Sequence, residues 1–223
     1  MIGPVVGSHP AKRPERVVLE GRYVRLEPLS AASHGEDLWR GVGGPDQAEL
    51  WEYMPDGPFA DRAALDGALE GKSASEDPFF FAILDAASGQ ALGCASLMRI
   101  DTKNRVIEVG GIMYSPALQQ TRGATEAMYL MARYAFEELG NRRYEWKCNS
   151  FNEPSRRAAL RLGFQYEGLF RQHMIIKGRN RDTAWFSMLD SEWPARKAAF
   201  ERWLDPANFD ADGRQKASLQ SFI

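Results

Sequence analysis

The stretch from Arg105 to Ala127 carries the residues whose types and order point most directly to chemistry. It reads RVIEVGGIMYSPALQQTRGATEA: a strand-like run, a break at Ser115 and Pro116, a short polar turn and the beginning of a helix. The first N–H groups of a helix lack internal partners, and the helix dipole favours negative charge, so such a turn is suited to bind an anion. We therefore predict a cradle here for the pyrophosphate of a nucleotide-like cofactor.

The composition excludes several classes of partner. The chain of 223 residues has 44% hydrophobic and 26% charged residues, as soluble globular proteins do, and its formal charge is −2. This balance gives no reason to expect nucleic acid or an anionic membrane as a partner. No run of 18 apolar residues occurs, and the proline-containing start lacks the apolar core of a signal peptide, so we expect a cytoplasmic protein.

Metal binding is not expected either. The two cysteines, Cys94 and Cys148, lie in strand-like runs and are expected to be buried free thiols, although a disulfide is an open alternative. The three histidines are far apart and no paired-cysteine spacing occurs, so a structural zinc site is not predicted.

The elements that must position the cradle form an α+β pattern with a mixed sheet. Two short strands around Gly21, or one bent strand, precede three helical pieces, the first beginning after Ser30. Three strands with short turns (77–85, 91–100 and 105–114) favour an antiparallel meander. A helix from about Thr121 then leads to a strand at 143–149, as in a βαβ crossover, followed by a short helix, a hairpin and a last helix at 191–204.

The domain organisation that we expect is simple. A flexible N-terminal arm covers residues 1–16, a single domain covers 17–204, and a polar, loosely held C-terminal tail covers 205–223.

Four patches in this order resemble the GNAT superfamily of N-acetyltransferases, and within it the branch of ribosomal-protein alanine N-terminal acetyltransferases. They are GRYVRLEPL at 21–29, the strand, loop and helix at 107–127, NEPSRRAALRLGF at 152–164 and GRNRDTAWFSMLDSEW at 178–193. The resemblance covers roughly Glu20 to Trp193. It implies a mostly antiparallel central sheet flanked by helices and splayed at the cofactor strand, with acetyl-CoA as co-substrate and a protein N-terminal α-amine or a small-molecule amine as acceptor.

The resemblance also implies which residues hold acetyl-CoA. They are Ile112, Met113, Tyr114, Gln119, Gln120, Thr121, Arg122, Gly123, Ala124, Asn152 and Arg157. The loop departs from the family pattern Q-x-x-G-x-G/A, because Arg122 stands where the first glycine is expected. Two interpretations stay open: a guanidinium that donates to a phosphate, or an arginine on a solvated helix face.

The resemblance further suggests two catalytic residues. Many family members have a tyrosine acid where this chain has Ala159, whereas the ribosomal-protein branch has a serine that matches Ser155, whose hydroxyl can donate to the departing sulfur. The alternative is a first-turn residue that satisfies the helix backbone. Glu108 is the candidate base. By strand alternation we place it on the face of Gly110, Ile112 and Tyr114, and the alternative is a structural ion pair with a cation such as Arg105.

The acceptor is expected between the N-terminal helices and the closing hairpin. Candidate contacts are Trp51, Tyr53, Met54 and Asp182, although aromatic residues at 50–59 are equally consistent with a core role. The last helix, with Trp193, Phe200 and Trp203, either docks a second subunit in a homodimer or packs on its own sheet.

Two functions remain after these steps. The first is N-acetyl transfer by direct attack of the amine in a ternary complex. The second is a catalytically weak CoA-binding sensor or scaffold, which is suggested by Arg122, by Ala159 and by Met174 in place of a glutamate of the ribosomal-protein branch.

Overall fold

An eight-stranded sheet runs through the protein in this computed structural model, which describes residues 3–223. The order across the sheet is β1-β2-β3-β4-β5-β6-β8-β7. The strands are β1 (Leu19–Glu20), β2 (Val24–Pro28), β3 (Phe79–Asp85), β4 (Ala91–Asp101), β5 (Val106–Tyr114), β6 (Arg143–Asn149), β7 (Gln165–Ile176) and β8 (Arg179–Leu189).

Five α-helices flank the sheet, and polar residues before four of them accept an N–H of the first turn. The helices are α1 (Ala31–Val42), α2 (Arg62–Ala74), α3 (Arg122–Arg133), α4 (Glu153–Arg161) and α5 (Trp193–Leu204). The capping side chains are Ser30, Asp61, Thr121 and Asn152. Because such caps satisfy backbone donors that the helix itself cannot, the sequence determines where these helices begin.

The single parallel strand pair among these elements lies at the predicted crossover. β5 and β6 are parallel, with Val106 opposite Arg143 and Val109 opposite Trp146, and α3 connects them. The other neighbouring strands are antiparallel. The mixed, mostly antiparallel sheet with flanking helices that we expected is therefore confirmed.

Each face of the sheet has its own apolar core. Ile107 and Val109 of β5 belong to the core that α3 and α5 cover, whereas Phe80 and Met113 belong to the core that α1 and α2 cover. The cysteines Cys94 and Cys148 are buried free thiols, as expected. Because β5 contributes to both cores, its position is fixed from two sides.

The aromatic residues of α5 pack inside this chain. Trp193, Phe200 and Trp203 are 5%, 1% and 4% exposed, and Tyr129 of α3 stacks against the first two. Burying each such ring stabilises the fold by about 1.5–3 kcal/mol. The interpretation of this stripe as a docking surface for a second subunit is therefore wrong, because α3 and the sheet already cover it.

Both terminal segments contact the body of the protein. Ala11 N–H donates to the carbonyl of Thr102 at 2.9 Å, and Lys12 N–H donates to that of Leu139 at 2.8 Å, so the arm is bound over this part; residues 1 and 2 lie outside the described residues. In the tail, Phe209 and Leu219 are buried in the core under α5. The tail is therefore attached to α5 at these two residues, and the looseness of its exposed remainder stays a prediction.

Candidate active site

The candidate active site begins where β5 and β6 separate. Pairing between them ends at Val109 and Trp146, although β5 continues to Tyr114 and β6 to Asn149. Gly110 and Gly111 lie at the point of separation. Beyond that point the edge of β5 that faces β6 has no strand partner among the described residues, so its backbone groups can bind an extended ligand.

An extra residue in β5 causes the separation. Cys94 of β4 pairs with Met113 and Ser96 pairs with Gly110, so three steps along β5 face two along β4. Gly111 has a φ of 57°, and a Cβ at this position would lie 3.0 Å from a ring carbon of Phe80. The position therefore requires glycine, and the inserted residue forms a β-bulge.

This bulge corrects the predicted placement of Glu108. We expected Glu108 to share a face with Ile112 and Tyr114 by simple alternation. Instead, Ile112 and Tyr114 pack against the core under α3, the same face as Val109, while Glu108 lies on the opposite face. An inserted residue reverses the alternation of every side chain that follows it, which accounts for the error.

Glu108 is buried and ion-paired with two cations. Its carboxylate is 5% exposed, and its Oε2 accepts both Lys147 Nζ at 2.8 Å and Arg99 Nε at 3.0 Å. Its Oε1 lies on the side of Gly110, 3.6 Å from where a Cβ of that residue would be. Burial raises the pKa of Glu108, while Lys147 and Arg99 oppose this shift. The expected cation partner, Arg105, is not the one observed.

Lys147 is a site residue that our sequence analysis missed. Its side chain is 5% exposed, bonds Glu145 at 2.6 Å as well as Glu108, and lies over the ring of Trp185 at 3.8 Å. Trp185 Nε1 is itself buried without an acceptor in the part of the chain that the structure describes. Alternation from the buried Trp146 would have placed Lys147 on the face of Glu108.

The loop before α3, where we predicted an anion cradle, ends in a capped helix N-terminus. Thr121 Oγ1 accepts Ala124 N–H at 3.1 Å, while helical geometry leaves the N–H groups of Arg122 and Gly123 without an intrahelical acceptor. Gln120 has a φ of 60°, and Gln119 donates to the carbonyl of Tyr114 at 3.1 Å. These contacts tie the loop to the end of β5 and leave free donors at the positive end of the helix dipole.

Tyr114 and Met113 are fixed by packing on opposite sides of β5. Tyr114 donates its hydroxyl to the carbonyl of Ala124 at 3.2 Å, and burial raises the pKa of this phenol. Met113 is 3% exposed in the core under α1 and α2. Both residues therefore hold strand and helix together, and the ligand contacts available from Ile112–Tyr114 are those of the backbone.

The first turn of α4 brings Asn152 and Ser155 to the other side of the gap. Asn152 Oδ1 accepts Ser155 N–H at 3.1 Å, and Trp146 Nε1 donates to Ser155 Oγ at 3.0 Å. The indole occupies a lone pair of the hydroxyl oxygen. The Cys148 thiol also lies within hydrogen-bonding reach of this hydroxyl, which opposes the rise that burial causes in the pKa of Cys148. Arg157 has a side chain that is 65% exposed and lies 3.6 Å from Glu153 on its own helix.

The segment between α1 and α2 meets the closing hairpin, as expected for an acceptor site. Lys177 at the hairpin turn donates to the carbonyl of Trp51 at 2.8 Å, and Tyr53 donates its hydroxyl to the carbonyl of Phe151 at 3.3 Å. Trp51 and Met54 line a small apolar cavity that reaches Gly111. Trp51 is 2% exposed, so it is a core residue that also borders this cavity.

Asp182 accepts two hydrogen bonds that hold part of the closing hairpin in place. Its Oδ1 accepts Gln172 N–H at 2.7 Å and Asn180 Nδ2 at 2.9 Å, across an irregular part of β7. These bonds lower the pKa of Asp182. The carboxylate borders an open depression together with Phe170, Arg171, Gln172, His173 and Asn180.

Over residues 3–223 no three His, Cys, Asp or Glu side chains are grouped so that they could hold a metal ion. Within the same range no helix has the length and apolar composition needed to cross a membrane.

Comparisons with known proteins agree with this geometry. The family model described as an acetyltransferase (GNAT) domain matches residues 24–165. A GCN5-related N-acetyltransferase from Brucella melitensis has a similar structure, with a TM-score of 0.94 and 52% identity over 96% of this chain and 97% of that one. Among sequences, YdaF of Bacillus subtilis, named as a ribosomal N-acetyltransferase, is 32% identical over 49% of this chain and 59% of its own length. The protein p20 of Bacillus licheniformis, named as an N-acetyltransferase, is 30% identical over 65% of this chain and 83% of its own.

Proposed function

Because the chain belongs to the GNAT acetyltransferase family, we propose that it transfers the acetyl group of acetyl-CoA to a primary amine in a ternary complex. The acceptor in this proposal is the α-amine of a protein N-terminus or the amine of a small molecule. Acetyl-CoA supplies a thioester carbonyl, and the reaction replaces its C–S bond by a C–N bond.

One observation carries the proposal: two functional side chains flank the gap between β5 and β6 from opposite faces of the sheet. The carboxylate of Glu108 lies on one face, and the hydroxyl of Ser155 is held by Trp146, which belongs to the core of the other face. An acyl transfer to an amine needs a proton acceptor on the side of the amine and a donor on the side of the leaving sulfur. The two residues are arranged for these two tasks.

The residues around the gap fit acetyl-CoA as their ligand. The unpaired backbone of Ile112, Met113 and Tyr114 suits the amides of the pantetheine arm, and the free N–H groups of Arg122 and Gly123 suit the pyrophosphate. Gln119, Gln120, Thr121 and Ala124 shape this loop, and Asn152 borders the gap. Arg157 is the weakest member of this set, because Glu153 competes for its charge.

Glu108 is the proposed base. Lys147 and Arg99 occupy its Oε2, so the Oε1 beside Gly110 is the oxygen that accepts the amine proton. Burial raises its pKa above that of an exposed glutamate, which brings its basicity closer to neutral pH. A protein α-amine has a pKa of about 8 and needs less help from such a base than a lysine amine at about 10.4.

Ser155 is the proposed donor to the sulfur as the C–S bond breaks. Its oxygen is positioned by the Trp146 indole and its own N–H by Asn152, so only the hydroxyl hydrogen remains to be oriented. Trp51, Tyr53 and Met54 border the acceptor side near Gly111, and Asp182 shapes the outer hairpin. YdaF is named as a ribosomal N-acetyltransferase, which makes a protein N-terminus the first acceptor class to test.

The test is acceptor-dependent release of free thiol from acetyl-CoA. The protein is incubated with acetyl-CoA and a panel of short peptides with free N-termini, polyamines and aminoglycosides, with the same peptides blocked at the N-terminus as controls. We expect thiol release that requires a free amine, with a matching mass increase of the acceptor. Binding of CoA without acceptor-dependent release across the panel would support a sensor or scaffold instead.

A further inference from the structure

The side chain of Arg122 is held between two aromatic rings from distant parts of the chain. Its Cζ lies 4.8 Å from the ring centroid of Tyr23, in the turn between β1 and β2, and 4.7 Å from that of Phe209, in the C-terminal tail. Aromatic rings attract the planar faces of a guanidinium, whereas its N–H donors lie in the plane. The two rings therefore fix the orientation of the group while its donors stay available.

A second arginine, from α4, is held in the same way and contacts α3 one turn beyond Arg122. Arg161, at the end of α4, has its Cζ 5.0 Å from the ring of Trp203 and donates from Nη1 to Thr125 Oγ1 at 3.1 Å. Thr125 follows Arg122 by three residues and so lies on the same face of α3. Burial lowers the pKa of Arg161, and no nearby acid opposes this shift.

Neither arginine forms an ion pair within the described residues, whereas most other partly buried cations of the chain do. Lys147 and Arg143, for example, each contact two carboxylates. Two uncompensated guanidinium groups beside the positive end of α3 are an unfavourable arrangement unless an anion joins them. The N–H groups of Arg122 and Gly123 at the start of α3 likewise have no intrahelical acceptor.

Two of the three rings that hold these arginines, Trp203 and Phe209, form one brace where α5 meets the tail. Trp203 and Phe209 pack edge to face, with centroids 5.2 Å apart. Trp203 Nε1 donates to Gln215 Oε1 at 2.8 Å, and Phe209 pairs with Gln215 in an isolated bridge. The tail is thus folded around the two rings rather than merely adjacent to them.

We propose that this brace makes the C-terminal tail part of the co-substrate site: Trp203, Phe209 and Tyr23 orient Arg122 and Arg161 to bind phosphate groups of CoA. The inference rests on acetyl-CoA being the ligand of the proposed function. Tyr23, Trp203 and Phe209 are positioning residues, because they act through the arginines. This placement explains how the loop can have an arginine where the family pattern has a glycine. The side chain of Arg122 packs against the rings, so its backbone N–H remains free for the ligand.

The experiment measures CoA affinity by calorimetry in the full-length protein carrying Phe209→Leu, Arg122→Met or both. We expect Phe209→Leu to raise the Kd of CoA by about tenfold, the order of a desolvated cation–π contact. In the Arg122→Met background the same change should have no further effect, because Phe209 acts through Arg122. A merely structural role of Phe209 would weaken binding in both backgrounds, and that result would overturn the proposal.

A matched control lies in the same tail. Arg202 lies over the ring of Phe222 at 4.5 Å, so Phe222→Leu removes a similar contact away from the loop and should leave the Kd unchanged. Dephospho-CoA separates the two phosphate sources: an effect lost with this ligand assigns Arg122 to the 3′-phosphate, and an effect retained assigns it to the pyrophosphate. Equal CoA affinity of wild type and Phe209→Leu contradicts the brace alone, whereas a wild-type protein that does not bind CoA contradicts the proposed function.

Discussion

Glu108 and its two cations show how a buried carboxylate is kept usable at this site. Lys147 and Arg99 both contact Oε2, and without them burial would favour the neutral acid. Lys147 is in turn held by Glu145 and by the ring of Trp185, so its position is fixed before any substrate arrives. Because both cations contact Oε2, these ion pairs leave the second carboxylate oxygen of Glu108 free.

Ser155 gives the first prediction at this scale. Ser155→Ala should lower kcat by roughly tenfold to a hundredfold, because the leaving sulfur loses its hydrogen-bond donor. Stopped assays of thiol release at saturating acetyl-CoA and acceptor measure this change, and CoA affinity should vary little.

Ser155→Thr is the matched control, since it keeps a hydroxyl on the same turn of α4. We expect it to retain most of the activity. The proposed role would be contradicted if the alanine and threonine variants had equal kcat values, because the hydroxyl would then contribute nothing to the step.

The residues of this site were only partly predictable from sequence. Glu108 and Ser155 were found through a family pattern, and the free N–H groups of the loop through its position before a helix. The partners of Glu108 were not found, because Arg99 and Lys147 belong to neighbouring strands whose register the sequence does not state. Arg122 and Phe209 are far apart in the sequence, and no local pattern predicts that they are in contact.

At the scale of elements, the bulge in β5 decides the geometry of the site. One extra residue at Gly110–Gly111 parts β5 from β6 and puts Glu108 on the opposite face from Ile112 and Tyr114. A Gly-Gly pair within a strand is compatible with a bulge or a simple kink, so it does not predict the reversal of alternation after it. Element types and the parallel crossover followed from caps, turn residues and apolar runs, because those signals are local.

The bulge gives the second prediction. Gly111→Ala should destabilise the fold by about 1–2 kcal/mol, because a non-glycine residue must adopt the left-handed conformation there. It should also raise the Kd of CoA by roughly tenfold, since the new Cβ would press on Phe80 and Ser96 and shift the strand edge. Denaturant unfolding and calorimetry measure the two effects.

Gly89→Ala controls for the backbone strain alone. Gly89 also has a positive φ, of 74°, but lies in a turn with open space around its Cα. It should cost similar stability and leave CoA affinity unchanged. If both variants weakened CoA binding equally, the bulge would have no special part in the site.

At the scale of the whole molecule, the site depends on segments from the entire chain. The turn at Tyr23, the loop before α3, α4, and the tail at Phe209 all meet around the N-terminus of α3. The polar composition of residues 205–223 predicts a loose tail. Phe209 and Leu219 are nevertheless buried, because α5 provides an apolar surface on which they pack. Composition describes a segment by itself and therefore misses such packing.

The most direct test of the whole account is the pH dependence of kcat/KM for acceptor-dependent transfer in wild type and Glu108→Gln. Burial raises the pKa of Glu108 above 4.5, and the carboxylate accepts a proton only above that raised pKa. The ratio of wild-type to variant rates should thus rise with pH through this pKa and then level off at about a hundredfold. The ionisation of the amine affects both proteins equally and cancels in the ratio.

Glu145→Gln is the control, because Glu145 also bonds Lys147 but does not border Gly110. The charge of Glu145 helps to raise the pKa of Glu108, so Glu145→Gln should move the pH profile to lower pH and keep the wild-type rate at high pH. The account predicts loss of the high-pH rate for Glu108→Gln alone, and it would be contradicted by a Glu108→Gln protein whose rate and pH profile equal those of the wild type.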